Sequence, residues 1–468
     1  MIPNTRYLKL IRKIAVALVL VLVTMSMLSM KRWSAEATGF NRRYAGTDNS
    51  IPSLQRAAAI TYLKAHKLYE SLRVAHAARI QQGDNSVLAP LFVDEQKLTA
   101  SDGAAFDEFG WSVAISGSTV VVGAWDHGIS GNRAQGSAYV FNRQGGGWVE
   151  TQKLTASDGA TSDNFGWSVA ISGSTIIIGA WGKMIGGNPA QGSAYVFNRQ
   201  GGSWTETQKL TASDGGVDSD FGYSVAFSGS TLVVSAPGDD FTRGSAYVFN
   251  RQGGSWVEEQ KLTPSGGWPV PFFGQSVAVS GLTIVVGASD DNFLQGSAYV
   301  FNRQRGKWVE TQKLTASDGA ANDEFGFSVA ITDSTLVVSS PFHEIGGNPV
   351  QGSAYVFNRQ GESWVEGQKL TASDGGREDG FGRSVAVSGS IIVVGEPFES
   401  MNGDVTGGSA YVFNRQGGSW VEKQKLTAID GGLFPFFGES VAVSGSTVVV
   451  GAYNSGDMFQ GSAYVFEP

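Results

Sequence analysis

Residues 109–154 read FGWSVAISGSTVVVGAWDHGISGNRAQGSAYVFNRQGGGWVETQKL, and similar segments repeat to the end of the 468-residue chain. Each copy opens with a Phe-Gly pair, and successive pairs are 56 or 52 residues apart. The seven pairs begin at positions 109, 165, 221, 273, 325, 381 and 437. A regular period of this length is typical of repeat proteins, in which each copy is one supersecondary unit. Residues present in every copy are therefore expected to be structural.

Four β-strands are predicted in each copy. Residues 112–115 alternate small and branched side chains, and residues 119–122 form a β-branched run typical of a buried strand. Glycine-containing turns lead to two further strands at 136–141 and 148–154. Four antiparallel strands, copied seven times, predict an all-β fold: a seven-bladed β-propeller of four-stranded antiparallel blades.

The two ends of the repeat array complement each other. The last copy has only three strands and stops after residues 461–466. Residues 91–98, by contrast, end in Gln-Lys-Leu, as every fourth strand does. The N-terminal strand is therefore predicted to complete the last blade and close the ring. Closure removes the exposed sheet edges through which β-proteins aggregate.

The order of Phe-Gly, a strand and then Gly-Ala-Pro resembles the FG-GAP repeat of integrin α-subunit propellers and many bacterial surface proteins. The resemblance covers residues 91–468 and implies a β-propeller, while it says less about function. The Gly-Ala-Pro element is represented by Gly123-Ala124-Trp125, Gly179-Ala180-Trp181, Ser235-Ala236-Pro237, Gly287-Ala288-Ser289, Ser339-Ser340-Pro341, Gly395-Glu396-Pro397 and Gly451-Ala452-Tyr453.

One feature of the family is missing from this sequence. Integrin-like members carry a calcium loop of the type Asp-x-Asp-x-Asp-Gly between the first two strands of some blades. The corresponding joints here, such as Ser116-Gly117-Ser118, lack the three carboxylates that an oxygen-rich calcium site requires. The calcium loops of the family are therefore not expected in this chain.

Acidic residues gather ahead of most Phe-Gly pairs, and two interpretations remain open. The Ser-Asp-Gly sequences favour a tight turn, because Asp hydrogen-bonds nearby backbone and Gly adopts positive φ. Alternatively, the carboxylates are weak calcium ligands. Apart from calcium, no cofactor is expected. The candidate metal ligands are Asp102, Asp107, Asp214, Asp218, Asp220, Asp318 and Asp323.

Length differences between the copies fall in one loop, between the second and third strands. This loop has ten residues in four copies, six in the third and fourth copies, and seven in the last. In an antiparallel blade it lies on the same side as the Asp-rich segments, because alternate connections return to one side. Insertions confined to one face often mark the binding face of a repeat protein.

Large aromatic residues are unevenly distributed on this predicted face. They suit stacking on sugar rings or docking of protein side chains, whereas the alternative is that they plug the channel mouth or fill gaps between blades. The candidate ligand-binding residues are Trp111, Trp125, Trp167, Trp181, Tyr223 and Tyr453. A secondary patch, interpreted as exposed anchors or as a seal of the rim, consists of Trp268, Phe272, Phe434 and Phe436.

Composition excludes several classes of site. The chain has no cysteine, which excludes disulfides and thiolate chemistry, and the repeats have only two histidines, His127 and His343. Residues 91–468 contain 21 Lys and Arg against 38 Asp and Glu, a balance that argues against nucleic acid as a partner. Since the sequence has no nucleophile motif and no phosphate-binding loop, no enzyme activity is predicted.

The first 90 residues are basic and are predicted to direct the repeats out of the cytoplasm. Residues 1–37 are interpreted as a signal peptide, with a cleavage site at 35–37, or as an uncleaved anchor, because basic residues precede an apolar stretch at 14–30. Residues 38–90 are predicted to contain a polar linker and a basic amphipathic helix at 53–82. This helix is interpreted as an element that lies on an anionic membrane or pairs with a partner helix, or as a spacer.

The function predicted from the sequence is binding or adhesion at the cell envelope or outside the cell. The partner is expected to be a protein or a glycan, bound through the variable-loop face, and membrane contact is predicted through residues 14–30 and 53–82. Two alternatives stay open. One is a carbohydrate-active enzyme or lectin with an acidic pocket on that face, and the other is a structural scaffold without a discrete ligand.

Overall fold

The computed structural model describes residues 92, 94–265, 271–401, 404–405, 407–428, 430, 436–456 and 459–468. The predicted segments 1–37 and 38–90 lie outside the described residues. Within the described part, the chain forms seven four-stranded antiparallel sheets and one two-stranded ribbon. The prediction of an all-β, seven-bladed propeller with four-stranded antiparallel blades is thus confirmed.

The first blade shows how the repeated sequence forms its strands. Strand β1 (Asp94–Leu98) precedes this blade, which consists of β2 (Ser112–Ser116), β3 (Thr119–Ala124), β4 (Ser137–Gln144) and β5 (Gly147–Leu154), paired in that order. Every residue of β3 is buried, because a β-branched run in the middle of a blade packs against neighbours on both of its faces. The outer strand β5 mixes buried and exposed residues, since one of its faces meets solvent.

The other blades repeat this arrangement, with short connections between the strands. Blade two contains β6 (Ser168–Ser172), β7 (Thr175–Ala180), β8 (Ser193–Gln200) and β9 (Ser203–Leu210), and blade three contains β10 (Val225–Ser228), β11 (Thr231–Ala236), β12 (Ser245–Gln252) and β13 (Ser255–Leu262). Blade four contains β14 (Val277–Ser280), β15 (Thr283–Ala288), β16 (Ser297–Gln304) and β17 (Lys307–Leu314). Short turns α1 (Asp239–Thr242) and α2 (Asp291–Leu294) lie in loops of blades three and four, and three residues in each have positive φ rather than right-handed helical backbone.

The remaining blades complete the ring. Blade five contains β18 (Val329–Ile331), β19 (Thr335–Ser340), β20 (Ser353–Gln360) and β21 (Ser363–Leu370). Blade six contains β22 (Ser384–Ser388), β23 (Ile391–Glu396) and, after the ribbon of β24 (Ser400–Met401) and β25 (Asp404–Val405), β26 (Ser409–Gln416) and β27 (Ser419–Leu426). Blade seven contains β28 (Val441–Ser444), β29 (Thr447–Ala452) and β30 (Ser462–Glu467) together with β1.

The Phe-Gly pair packs one blade against the next. Phe109 is fully buried, and its ring centroid lies 5.5 Å from that of Tyr139 and 6.0 Å from that of Phe141. Gly110 has φ +98°, and a Cβ at this position would lie 2.1 Å from the carbonyl oxygen of Ser462 in β30. Only glycine tolerates so close a backbone approach at a positive φ. The most regular feature of the sequence is therefore structural.

Strand β1 lies beside β30 in the seventh blade. The two strands pair antiparallel, from Asp94 opposite Glu467 to Leu98 opposite Ala463. The sheet order of this blade is β1-β30-β29-β28. Leu98 is buried in the hydrophobic cluster that also contains Phe109. Strand β1 thus occupies the outer position that the last repeat does not supply.

A glutamine on each outer strand joins it to the next blade. Gln152 in β5 accepts a hydrogen bond from the Trp204 N–H and donates one to the Trp204 carbonyl, both at 2.7 Å. Gln424 binds the backbone of Phe92 in the same way. The other pairs in the described part of the chain are Gln96–Trp148, Gln208–Trp256, Gln260–Trp308, Gln312–Trp364 and Gln368–Trp420. This clamp explains the glutamine in the repeated Gln-Lys-Leu.

Candidate functional site on the loop face

Two kinds of loop meet on one face of the propeller, which we call the loop face. The loop between the second and third strands of a blade hydrogen-bonds to the Asp-rich segment that follows the same blade. The Asn164 N–H donates to the Ala134 carbonyl at 3.0 Å, and the Asp220 N–H donates to the Ala190 carbonyl at 2.9 Å. The predicted proximity of the variable loops and the acidic segments is therefore correct. The short turns between first and second strands form the opposite face.

The candidate aromatic residues form one continuous cluster at the loop face. The Trp111 ring centroid lies 4.6 Å from that of Trp167 and 5.0 Å from that of Tyr453. Trp125 lies 5.9 Å from Trp111 and 5.4 Å from Trp167, in both cases edge to face. All four side chains are half-buried. The rings thus fill space against one another while part of each stays accessible.

The cluster extends across three further residues. Trp167 contacts Trp181 at 5.5 Å and Tyr223 at 5.4 Å between ring centroids. Phe436, which the sequence assigns to a secondary patch, stacks on Tyr453 with the two ring planes 7° apart. The structure therefore brings all six candidate residues together and adds Phe436 to them.

The rest of the secondary patch is only partly described. Phe272 is half-buried with φ +57°, and its N–H donates to the Thr242 carbonyl at 3.0 Å. Trp268 and Phe434 lie outside the described residues.

An arginine lies on the loop face at the same repeat position as Trp111. Arg383 occupies the position after Phe-Gly in the sixth repeat, where the first repeat has Trp111. Its Nε lies 2.9 Å from Oε1 of Glu439, the equivalent residue of the seventh repeat, and its guanidinium lies 4.5 Å from the Phe327 ring centroid. Only the aromatic residues at this repeat position are predicted from the sequence to bind a ligand, so Arg383 is not among the predicted residues. Comparing the same position in all seven copies would have identified the ion pair.

Half-buried carboxylates lie beside the aromatic cluster. Glu108, the residue before the first Phe-Gly, accepts a hydrogen bond from Trp125 Nε1 at 2.9 Å. Burial raises the pKa of Glu108 to about 7, and the nearby Asp126 adds to the shift. Elsewhere on the loop face, burial likewise raises the pKa of Asp220 and of Glu324 to about 7. The loop face therefore carries several acidic groups whose pKa values lie near neutrality.

Three candidate metal ligands occupy the same position in their repeats, and each of them already pairs with a lysine ammonium group. Asp102 accepts hydrogen bonds from the Tyr139 hydroxyl and from Lys153 Nζ, each at 2.7 Å. Burial opposes ionisation, but these hydrogen bonds outweigh it and hold the pKa of Asp102 below its usual value. Asp214 and Asp318 make the same pair of contacts in their own blades. A calcium ion would have to displace the lysine ammonium at each position.

Two further candidates are buried against histidine. Oδ2 of Asp107 lies 2.8 Å from Nδ1 of His127, and Oδ2 of Asp323 lies 2.7 Å from Nδ1 of His343. Each carboxylate also accepts a backbone N–H at 2.6 Å, a bond that fixes the turn of the Asp-rich segment. These contacts agree with the turn interpretation and leave little coordination capacity for a metal ion.

The last two candidates, Asp218 and Asp220, differ in exposure. Asp218 is exposed and Asp220 is half-buried, and both adopt left-handed backbone conformations. Among the residues that the structure describes, no group of three or more His, Cys, Asp or Glu side chains is arranged to hold a metal ion. In the same residues, no helix has the length and apolar character needed to cross a membrane.

Known proteins resemble this chain in its repeats. A sequence profile of the FG-GAP repeat family matches residues 92–141, 148–197, 204–249, 256–301, 308–357, 364–413 and 420–466. The chain is also similar to integrin alpha-3 of Cricetulus griseus, with 24% identity over 218 residues, and to integrin alpha-3 of Mus musculus, with 24% identity over 219 residues. Each similarity covers 42% of this chain and 20% of the relative, so the chain spans about a fifth of the length of these curated relatives.

Proposed function

Because the chain belongs to the FG-GAP repeat family, we propose that it is an exported protein-binding or adhesion module that recognises its partner through the loop face. The proposal places it at the cell envelope or outside the cell, either secreted or held by its N-terminal segment. It assigns the aromatic cluster around Trp111 and Trp167 to the contact surface. We propose binding without catalytic turnover.

One observation carries this proposal: the differences in loop length between the blades fall on the loop face, where apolar side chains are also exposed. The loops between second and third strands differ in length between blades. Met184 is exposed on one of them, and Val217 is exposed on an adjacent Asp-rich segment. The turns of the opposite face keep the sequence Ser-Gly-Ser in five of the seven copies. Variable loops on a rigid scaffold and exposed apolar groups are both expected where a partner binds.

The geometry of the tryptophans favours a protein over a glycan. Stacking on a sugar ring needs an open aromatic face. Trp125 instead turns its edge or face towards Trp111 and Trp167, and its indole N–H is held by Glu108. An indole held in this way by two neighbouring rings and a carboxylate suits contacts with the side chains of a protein partner better than stacking on a sugar.

Photo-cross-linking in intact cells tests the face that binds. A photoreactive amino acid at Met184 or Val217 is expected to cross-link one discrete envelope protein, because both side chains are exposed on the loop face. The matched control is the same amino acid at Leu282, which is exposed on the opposite face. Cross-links from Leu282 alone, or from none of these positions, would contradict the proposal.

A double variant tests the aromatic cluster. Trp125→Ala combined with Trp181→Ala is expected to weaken binding of the cross-linked partner by about tenfold or more, because buried interface aromatics carry much of the binding energy. A glycan array run with the unaltered protein and with the double variant serves as the second arm. Glycan binding that the double variant abolishes, with unchanged protein binding, would favour the lectin alternative instead.

Cell fractionation and the mass of the mature chain test export. The repeats are expected in the envelope or extracellular fraction, because basic residues and then the apolar stretch 14–30 precede them. A mature chain that begins at Thr38 would identify a cleaved signal, whereas an intact N-terminus in a membrane fraction would identify an anchor. Recovery of the protein from the cytoplasm alone would refute export.

A further inference from the structure

Two phenylalanines project from equivalent loops of neighbouring blades. Phe241 in blade three is 97% exposed and Phe293 in blade four is 86% exposed. They are 52 residues apart, at the same position of the repeat, in the two copies whose variable loop has six residues. Single exposed hydrophobic residues need no explanation, but a matched pair on adjacent blades of a binding face does.

The backbone of these loops does not explain why phenylalanine is there. Asp240, Phe241 and Thr242 all have positive φ, and so do Asn292, Phe293 and Leu294. A left-handed residue costs about 1–2 kcal/mol unless it is Gly, Asn or Asp, so an exposed phenylalanine is a poor choice for the conformation alone. The fold gains nothing from these rings, because they are almost entirely in solvent.

Both loops are held firmly at their bases. Buried Asp239 contacts Lys261 Nζ at 2.6 Å and accepts a hydrogen bond from the Tyr247 hydroxyl at 3.2 Å. In the next blade, buried Asp291 contacts Lys313 Nζ at 2.6 Å in the same way. Left-handed backbone that is fixed by its surroundings in this manner is typical of functional sites. Each ring is therefore presented on a preorganised support, which lowers the entropy cost of binding.

The surroundings of the two rings are acidic. A Cβ on Gly238, at the start of the first loop, would lie 2.7 Å from Oδ2 of Asp220, and Asp218, beside Asp220 in sequence, is exposed. The second loop follows Asp290, which lies close enough to the Glu324 carboxyl to raise its pKa further. Arg243 is a basic residue of the first loop, and it is paired with Asp240 at 3.2 Å. Apolar tips bordered by carboxylates complement an apolar surface that is bordered by cations.

We propose that Phe241 and Phe293 form a two-point anchor for a partner protein that presents an apolar groove bordered by lysine or arginine side chains. The inference rests on the proposed function, since it requires that the loop face bind a protein. A second copy of the chain is disfavoured because two acidic rims repel each other, and an anionic membrane is disfavoured for the same reason.

Binding to three synthetic amphipathic peptides tests the proposal. The peptides share one leucine face and carry lysine, glutamine or glutamate on the other face. The full-length protein is expected to bind the lysine peptide best. Phe241→Asn combined with Phe293→Asn should weaken this binding about tenfold or more, because each buried ring contributes about 1.5–3 kcal/mol. Asparagine is chosen because it tolerates left-handed backbone, so the fold is expected to be retained.

The matched control is Phe106→Asn, which removes a 51% exposed ring with φ +68° from another segment of the loop face. Equal loss in the control, preference for the glutamate peptide, or no binding to any of the three would overturn the anchor. Two parallel measurements test the two other possible binding partners, a membrane and a second copy of the chain. Binding to vesicles of phosphatidylcholine, or self-association in sedimentation that the double variant abolishes, would overturn it in favour of a membrane or a second copy.

A further comparison separates the two proposals. If Met184 still cross-links an envelope protein in the double asparagine variant with unchanged yield, the anchor is wrong while the proposed function stands. If no position on the loop face cross-links a protein, the proposed function itself fails.

Discussion

At the scale of single residues, one buried carboxyl sets the sixth blade apart. Glu396, the last residue of β23, is fully buried at a position where five other blades have alanine and one has serine. Its Oε2 accepts a hydrogen bond from the Tyr411 hydroxyl at 2.8 Å, while its Oε1 has no hydrogen-bond partner among the described residues. Burial raises the pKa of Glu396 to about 9. The side chain is therefore protonated at neutral pH in the folded protein and ionised in the unfolded chain.

Glu396→Ala is expected to stabilise the protein, with a gain that grows as pH rises. Between the unfolded pKa of 4.5 and the folded value of about 9, the folded state holds a proton that the unfolded state has lost. The unaltered protein therefore loses up to about 1.4 kcal/mol per pH unit across this window, and the alanine variant does not. Urea unfolding at about pH 6 and about pH 8 measures the difference.

The control for this prediction is Glu362→Ala, which removes an exposed carboxylate from the preceding blade. Its free energy of unfolding should follow that of the unaltered protein at both pH values. A Glu396→Ala protein that is the less stable one at the higher pH would show that the carboxyl is not held protonated.

Single residues were also the least predictable part of the site. The sequence identified Trp111 and Trp167 because large aromatics stand out at a repeated position. It did not identify Arg383, because nothing in one repeat indicates that its charge meets Glu439 of the next. It also missed Phe241 and Phe293, since exposure depends on loop conformations that short, irregular segments do not reveal.

At the scale of elements, the outer strands are joined by glutamine rather than by direct strand pairing. Gln152→Ala is expected to lower the free energy of unfolding by about 1–3 kcal/mol, because the Trp204 N–H and carbonyl both lose their partner at a part-buried site. Thermal or chemical unfolding measures the loss. Gln144→Ala is the matched control, since Gln144 is exposed at the end of β4 in the same blade. Equal stability of the two variants would remove the clamp as a source of stability.

The elements themselves were well predicted, and for a physical reason. Strands such as β3 are read from a β-branched run that recurs in every copy, so seven similar patterns support one another. The role of Gln152 was hidden because its partner lies 52 residues away in the next blade. Likewise, the Asp-rich segments looked like local turns, whereas Asp102 mainly binds Tyr139 and Lys153. Such long-range side-chain contacts can be predicted only once the arrangement of the blades in the ring is known.

At the scale of the whole molecule, the repeat count determines the number of blades, and the ring brings their equivalent positions together. This is why the aromatic cluster contains residues that are far apart in sequence, such as Trp111 and Tyr453. Constant positions contribute to packing and clamps, whereas positions that vary between copies supply the loop face. The fold is therefore evident from one repeat, whereas the site is not, because residues from several blades form it together.

The strand β1 provides the last prediction, which concerns the ring as a whole. Deleting residues 91–98 is expected to lower the melting temperature by about 10 °C or more and to promote aggregation, because it removes the buried Leu98 and exposes the edge of β30. Adding a synthetic peptide of residues 91–98 in excess should restore part of the lost stability, since it can pair with β30 in the native register. A peptide with the same residues in scrambled order is the control. An unchanged melting temperature after the deletion, or equal rescue by both peptides, would show that the ring does not depend on this strand.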